Sequence, residues 1–143
     1  MLHKLMAYYR QTHTKILSVL KKYALIIALG FTSALTFLSL VNLRKMPNLG
    51  VSFGDKIFHF IAYALMTLVW FNYATTLRNF NKTKQILLAV VISVVFGMII
   101  ELLQGALTVT READLNDIIA NNIGVFVVAL FLWLIPVKDV KKY

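Results

Sequence analysis

Four long runs of uncharged, mostly apolar residues constrain this chain more than any other feature. Residues 23–43, 57–77 and 118–137 contain no Asp, Glu, Lys or Arg, and residues 85–110 contain only Glu101. A helix needs about 20 such residues to cross the hydrocarbon core of a bilayer, where every backbone polar group must be satisfied within the segment. We therefore predict an all-α, polytopic membrane protein built as a bundle of four transmembrane helices.

The segments around these runs predict how the chain is organised. Its 143 residues, 59% of them hydrophobic, suit one domain, and the absence of cysteine excludes disulfides and thiolate sites. Residues 1–22 place apolar side chains at near-helical spacing among basic ones, which favours an N-terminal amphipathic helix on the lipid surface over an extension of the first membrane helix. The predicted parts are this basic segment (1–22), a transmembrane domain (23–137) with helices over about 23–42, 55–74, 85–107 and 117–136, and a basic tail (138–143).

The charge distribution predicts how the bundle is oriented. Of the fifteen Lys and Arg residues, eleven lie before the first run, between the second and third, or after the fourth, where Asp139 is the only acid. Basic residues accumulate on the cytoplasmic side of membrane proteins, so both termini should be cytoplasmic. We therefore interpret the net charge of +9 as a topology signal and not as a nucleic-acid-binding surface. Trp70, Tyr73 and Trp133 fall where an inner aromatic belt is expected.

Polar residues gather at one end of three predicted helices. At about 100° per residue, each group occupies one narrow arc of its helix. The second and fourth helices begin outside and the third ends outside, so the three arcs should meet near the outer face. These residues are Asp55, Lys56, His59 and Tyr63 on the second helix, Gly97, Glu101 and Gln104 on the third, and Asp117, Asn121 and Gly124 on the fourth.

Glu101 is the residue that most needs an explanation, because apolar residues surround it. An unpaired carboxylate in such a position would cost several kcal/mol or become protonated. We therefore expect Glu101 to lie within hydrogen-bond or salt-bridge reach of His59, Lys56 or Arg111.

Several of these residues also have purely structural interpretations. Asp55 and Asp117 each end a capping-box pattern, Ser52-x-x-Asp55 and Asp114-x-x-Asp117. Each could therefore be a helix cap with no further role. Small residues let membrane helices approach closely, which makes Gly97 and Gly124 candidate packing glycines. Tyr63 suits an interhelical hydrogen bond, and Lys56 could simply extend its charge to the surface.

Three short motifs carry a resemblance to a known family. Asp55-Lys56-x-x-His59, Glu101-x-x-Gln104 and the series Arg111, Asp117, Asn121 and Gly124 resemble, in order and spacing over about 55–128, the motifs of VanZ-like proteins. The resemblance implies a small integral protein of the bacterial cell membrane, inner or plasma. The founding member of that family is associated with resistance to teicoplanin, a lipoglycopeptide that acts at the cell surface. The resemblance implies no particular reaction.

The functional interpretations remain open between an enzyme, a binder and a scaffold. The site could act on an envelope lipid or lipid-linked precursor, bind a lipoglycopeptide without catalysis, or form a structural network in a scaffold or assembly partner. Membrane lipids are the expected partners, nucleic acid is not, and the oligomeric state is undetermined. No cofactor is expected; a metal held by His59, Glu101 and Asp117 is a lesser variant of the enzyme hypothesis. The candidate catalytic residues are His59, Glu101 and Asp117, and the candidate ligand-binding residues are Asp55, Lys56, Tyr63, Gln104, Arg111 and Asn121.

Overall fold

The computed structural model describes residues 2–40, 54–107 and 115–136, and within these ranges the secondary structure is helical, with no strand. The all-α prediction is therefore confirmed, and each predicted membrane helix begins and ends within three residues of an observed one. Arg111, Asp114, the turn at 46–50 and the tail 138–143 lie outside the described residues. The five helices are α1 (Leu2–Lys22), α2 (Ala24–Leu40), α3 (Gly54–Ala74), α4 (Lys82–Leu107) and α5 (Leu115–Leu134).

Three helices are long and apolar enough to cross a membrane, and a fourth crossing depends on how α1 and α2 are joined. α3, α4 and α5 each meet the length and hydropathy of a membrane span. α2, with 17 residues, reaches this length only when the end of α1 is added, as one span bent by 66° at Tyr23. The structure therefore supports three or four spans, while the count of four and the surface position of α1 stay predictions.

The outside of the bundle is apolar, as a surface in contact with lipid tails must be. Large side chains such as Leu102 on α4 and Phe131 on α5 are exposed over more than half of their surface. α3 is the central helix and contacts each of the other four. Its Tyr63 and Met66 are fully buried against Leu35 of α2 and Val125 of α5. The polar groups therefore lie inside, and lipid takes the place that water has around a soluble protein.

Two glycines set how closely α3 approaches its neighbours. A Cβ atom on Gly124 would overlap the main-chain carbonyl oxygen of Phe60, so α5 lies directly on the backbone of α3. A Cβ atom on Gly97 would lie 2.9 Å from Cε1 of Tyr63, which places the Tyr63 ring against the backbone of α4. Both glycines therefore occupy close helix crossings, the position that small residues take in membrane bundles.

Hydrogen bonds that involve no carboxylate connect the helices away from the polar cluster. Thr67 Oγ1 of α3 and Ser93 Oγ of α4 form a hydrogen bond of 3.3 Å between the two hydroxyls. Trp70 Nε1 donates to Thr32 Oγ1 of α2 at 3.1 Å, so this partly buried ring binds a neighbouring helix in addition to any interfacial role. At the end of α5, Lys82 Nζ donates to the carbonyl oxygens of Trp133 and Ile135 at 2.7 and 2.6 Å. These carbonyls have no partner within the helix, and a cation is favoured beside them.

Candidate functional site

The three polar arcs predicted from the sequence meet at one end of the bundle, which we call the polar end. It is formed by the start of α3, the end of α4 and the start of α5. Buried ionisable groups are expensive in a membrane protein and usually mark a working site. The polar side chains buried at this end are His59, Tyr63, Glu101, Gln104, Asp117 and Asn121.

His59 lies at the centre of the polar end and is only 2% exposed. Its Nδ1 forms a hydrogen bond of 3.0 Å with Asn121 Oδ1 of α5. Its Nε2 lies 3.6 Å from Asp117 Oδ2 and 3.9 Å from Asp55 Oδ1. The two ring nitrogens therefore face different environments, an amide on one side and two carboxylates on the other.

Glu101 lies beside the same ring, as the cost of an isolated carboxylate led us to expect. Glu101 Oε1 is 3.9 Å from His59 Nδ1, within salt-bridge distance, and its residue is also 2% exposed. The expectation that Glu101 reaches His59, Lys56 or Arg111 is therefore confirmed for His59. This contact joins α3 to α4 in a region where an apolar pair would have been less costly to bury.

Lys56 and Asp55 form the opening of the polar end. Lys56 Nζ lies 3.5 Å from Asp117 Oδ1, so the lysine pairs across the α3–α5 contact in addition to reaching the surface. The side chains of Lys56 and Asp55 are 34% and 50% exposed, whereas that of Asp117 is 11% exposed. The charged groups thus run from an accessible opening to the buried His59 and Glu101.

Gln104 lies on the predicted face of α4 but takes part in a different contact. Its Nε2 donates to the main-chain oxygen of Ser39 at 2.9 Å, which joins α4 to the end of α2. This contact supports a structural role for Gln104 beside the ligand-binding role that the motif suggested. Sequence reasoning missed Ser39, because a main-chain acceptor leaves no signal in the residue type.

Tyr63 and Asn121 bring two further polar atoms into the interior. The hydroxyl of Tyr63 and the Nδ2 of Asn121 have no hydrogen-bond partner among the residues that the structure describes. Both groups lie near Gly97, whose added Cβ would be 3.4 Å from Tyr63 Cζ and 3.6 Å from Asn121 Nδ2. The interhelical hydrogen bond expected of the Tyr63 hydroxyl is therefore not seen in the described part of the chain.

The arrangement could hold a cation or transfer a proton. Asp55, His59 and Asp117 offer one ligand atom each, all within 4.8 Å of one another. The sequence suggested Glu101 as the third ligand, but in the structure Glu101 faces Nδ1 whereas Asp55 faces Nε2. A histidine between carboxylates is equally a candidate general acid or base.

Long apolar helices with a buried polar cluster at one end define a multi-pass membrane protein with a candidate site inside its helical bundle. The sequence model of the VanZ/LLP1 family matches residues 2–136, and the chain belongs to this family. The resemblance seen in the motifs is thus confirmed over nearly the whole chain, and the family points to a bacterial membrane. Neither the curated proteins nor the solved structures give a match.

Proposed function

We propose that the polar end receives the charged head of an envelope lipid, a lipid-linked precursor or a lipoglycopeptide at the outer face of the bacterial membrane. The observation that carries this proposal is the buried His59, whose Nε2 faces Asp117 and Asp55 behind a partly exposed opening. The position at the outer face rests on the basic residues that precede α2 and follow α5, which predict cytoplasmic termini.

Charge at the opening supports an anionic head group as the ligand. Lys56 is partly exposed beside Asp117 and presents a cation that could bind phosphate or carboxylate. Arg111 lies four residues before α5 in the sequence and would add a guanidinium, which suits a bidentate contact with phosphate. The acyl tail of such a ligand would remain in the lipid beside the exposed apolar faces of α3 and α5.

The buried groups support an acid–base role once a head group is bound. Asn121 Oδ1 can only accept, so it favours the His59 tautomer with a proton on Nδ1 and a lone pair on Nε2. His59 could then take a proton from a group that enters between Nε2 and the carboxylates. Protection against teicoplanin-type antibiotics would follow from changing or sequestering such a ligand.

A second candidate function is a membrane scaffold whose polar residues are a structural network. The bond from Gln104 to the main chain of Ser39 favours this alternative, because it fixes α2 to α4 and involves one of the family motif residues. In that case the same side chains would stabilise the fold and an assembly partner would contact another surface.

To separate the ligand-binding site from the scaffold, we compare antibiotic resistance with protein stability in the same variants. His59→Gln and Glu101→Gln keep most of the side-chain volume but remove the imidazole and the carboxylate. A functional site predicts that teicoplanin resistance falls to that of cells without the protein, while membrane levels and the melting temperature in detergent change little. Arg111→Ala should behave in the same way.

A structural network predicts a different result for the same variants. Breaking a buried charge pair then costs about 3–5 kcal/mol, and loss of resistance follows loss of folded protein. Ser93→Ala is the matched control, because it removes a buried polar group of α4 outside the polar end. Resistance that followed protein level across all four variants would contradict the proposed site.

A further inference from the structure

The carboxylates around His59 suggest that the polar end binds a metal ion independently of any lipid. We propose that Asp55, His59 and Asp117 bind one divalent transition-metal ion, with His59 Nε2 and one oxygen from each aspartate as its ligands. The proposal deepens the proposed function and rests on it only for the role of the ion, not for the binding itself. With an ion on Nε2, His59 no longer takes a proton there, and the ion replaces it as the group that acts on the bound head group. It departs from the sequence-based expectation of a site without a cofactor.

The distances favour a shared ion over direct hydrogen bonds. Nε2 lies 3.6 Å from Asp117 Oδ2 and 3.9 Å from Asp55 Oδ1. A hydrogen bond from a ring nitrogen to a carboxylate spans about 2.7–3.2 Å, so both separations are too long for one. Ligand atoms around a tetrahedral ion with bonds of about 2.1 Å lie about 3.4 Å apart, so small movements of the two aspartates would suffice.

The contacts of the two His59 ring nitrogens supply a second observation. Nδ1 is bonded to the carbonyl oxygen of Asn121 at 3.0 Å, which favours the hydrogen on Nδ1. The Nε2 atom has no hydrogen-bond partner among the described residues and is aimed between Asp55 and Asp117. His59 itself is 98% buried. A metal-binding histidine characteristically uses its other nitrogen in this way, as a donor to an oxygen that fixes the ring.

The arrangement of Asp117 leaves one oxygen for the ion. Lys56 Nζ lies beside Oδ1, at 3.5 Å, whereas Oδ2 faces His59. The lysine and a metal would therefore use different oxygens of the same carboxylate. With Glu101 also against the ring, three carboxyl groups surround His59 and Lys56 is the cation that the described residues place among them. A divalent ion would add positive charge between the carboxylates of Asp55 and Asp117.

The helices make the ligand set rigid and accessible. Asp55 and His59 are separated by four positions on α3 and so lie on one face, one turn apart. Asp117 comes from the first turn of α5, which Gly124 holds against α3. Asp55 is half exposed and provides the entry path. One nitrogen and two oxygen ligands suit Zn²⁺ or Mn²⁺, and three protein ligands leave a position for a head-group phosphate or a water molecule.

The test uses the full-length protein in lipid nanodiscs, treated with chelator and then titrated with Co²⁺, Zn²⁺, Mn²⁺ and Mg²⁺. We expect one equivalent of Zn²⁺ to bind, Co²⁺ to give visible ligand-field bands, and the melting temperature to rise. His59→Gln and Asp117→Asn should each weaken binding by more than about 100-fold, and Asn121→Ala by about 10–100-fold. Asp55→Asn changes a half-exposed side chain, so it should weaken metal binding with only a small change in the melting temperature of the metal-free protein.

The matched control is the double variant His3→Ala and His13→Ala, which removes the other two histidines of the chain and should keep the full stoichiometry. Absence of binding, or binding that survives in Asp55→Asn and in every folded variant at His59 or Asp117, would overturn the proposal. Binding lost in the His3 and His13 variant alone would assign the ion to α1 and would also overturn it. These titrations measure metal binding, and neither resistance nor head-group binding, so their failure is distinct from failure of the proposed function.

Discussion

The polar end and the opposite half of the bundle use their polar residues in different ways. In the opposite half, hydroxyl, indole and ammonium donors each have an acceptor in place. The residues that make these contacts are Thr32, Thr67, Trp70, Lys82 and Ser93. At the polar end, ionisable groups are buried together, and atoms of His59, Tyr63 and Asn121 have no hydrogen-bond partner among the described residues. Most buried polar groups in native proteins have a hydrogen-bond partner, and the exceptions often lie at functional sites. The contrast separates groups that join helices from groups that we propose bind a ligand.

The largest expected change in stability is at Gly124, where α5 packs against α3 and positions the polar end. Gly124→Ala places a Cβ against the carbonyl oxygen of Phe60, and main chain cannot move aside as a side chain can. We expect a loss of about 3 kcal/mol, at the upper end of overpacking effects, measured by denaturation in mixed micelles. Metal binding and resistance should weaken with it, since α5 would move away from α3.

Gly30→Ala is the matched control for this prediction. An added Cβ on Gly30 meets no atom within 4 Å, so the same substitution should leave stability nearly unchanged. Equal losses of stability at Gly30 and Gly124 would show that the α3–α5 contact does not explain the result.

A smaller effect is expected in the opposite half. Trp70→Phe keeps an aromatic ring but removes the hydrogen bond to Thr32 that joins α3 to α2. Interhelical hydrogen bonds in membrane proteins contribute about 0.6 kcal/mol on average, so we expect a loss near 1 kcal/mol when the change in ring size is included. Resistance per folded molecule should be unchanged. A specific loss of resistance at wild-type protein level would break the comparison, because it would give the opposite half a functional role.

The smallest effect is expected at Tyr63. Its hydroxyl is buried without a partner among the described residues, so Tyr63→Phe should leave the melting temperature unchanged or slightly higher. Thr67→Val is the control, because the Thr67 hydroxyl donates to the Tyr63 carbonyl at 2.8 Å and its removal should lower stability slightly. A clear loss of stability in Tyr63→Phe would place Tyr63 with the structural group. A loss of resistance without a change in stability would assign the Tyr63 hydroxyl to ligand binding.

Sequence reasoning located the helices and the faces that meet, but not the contacts within the polar end. The uncharged runs placed α3, α4 and α5 to within three residues, since charge is excluded from the hydrocarbon core. The partner of Glu101 followed from the cost of burying a carboxylate. The contact of Gln104 with Ser39 did not follow, because helical periodicity gives the face of a residue but not the neighbour that the face meets.

What the sequence alone determined is the class of protein, the helical faces that carry polar groups and the end of the bundle at which they gather. Only the tertiary structure decided that Asp55, rather than Glu101, lies with Asp117 around Nε2 of His59. That choice depends on how α4 and α5 are rotated against α3, and α5 lies closest to α3 where Gly124 contacts the backbone at Phe60. Hydrophobic runs specify that a helix crosses the membrane, whereas close packing between helices specifies which polar atoms face one another.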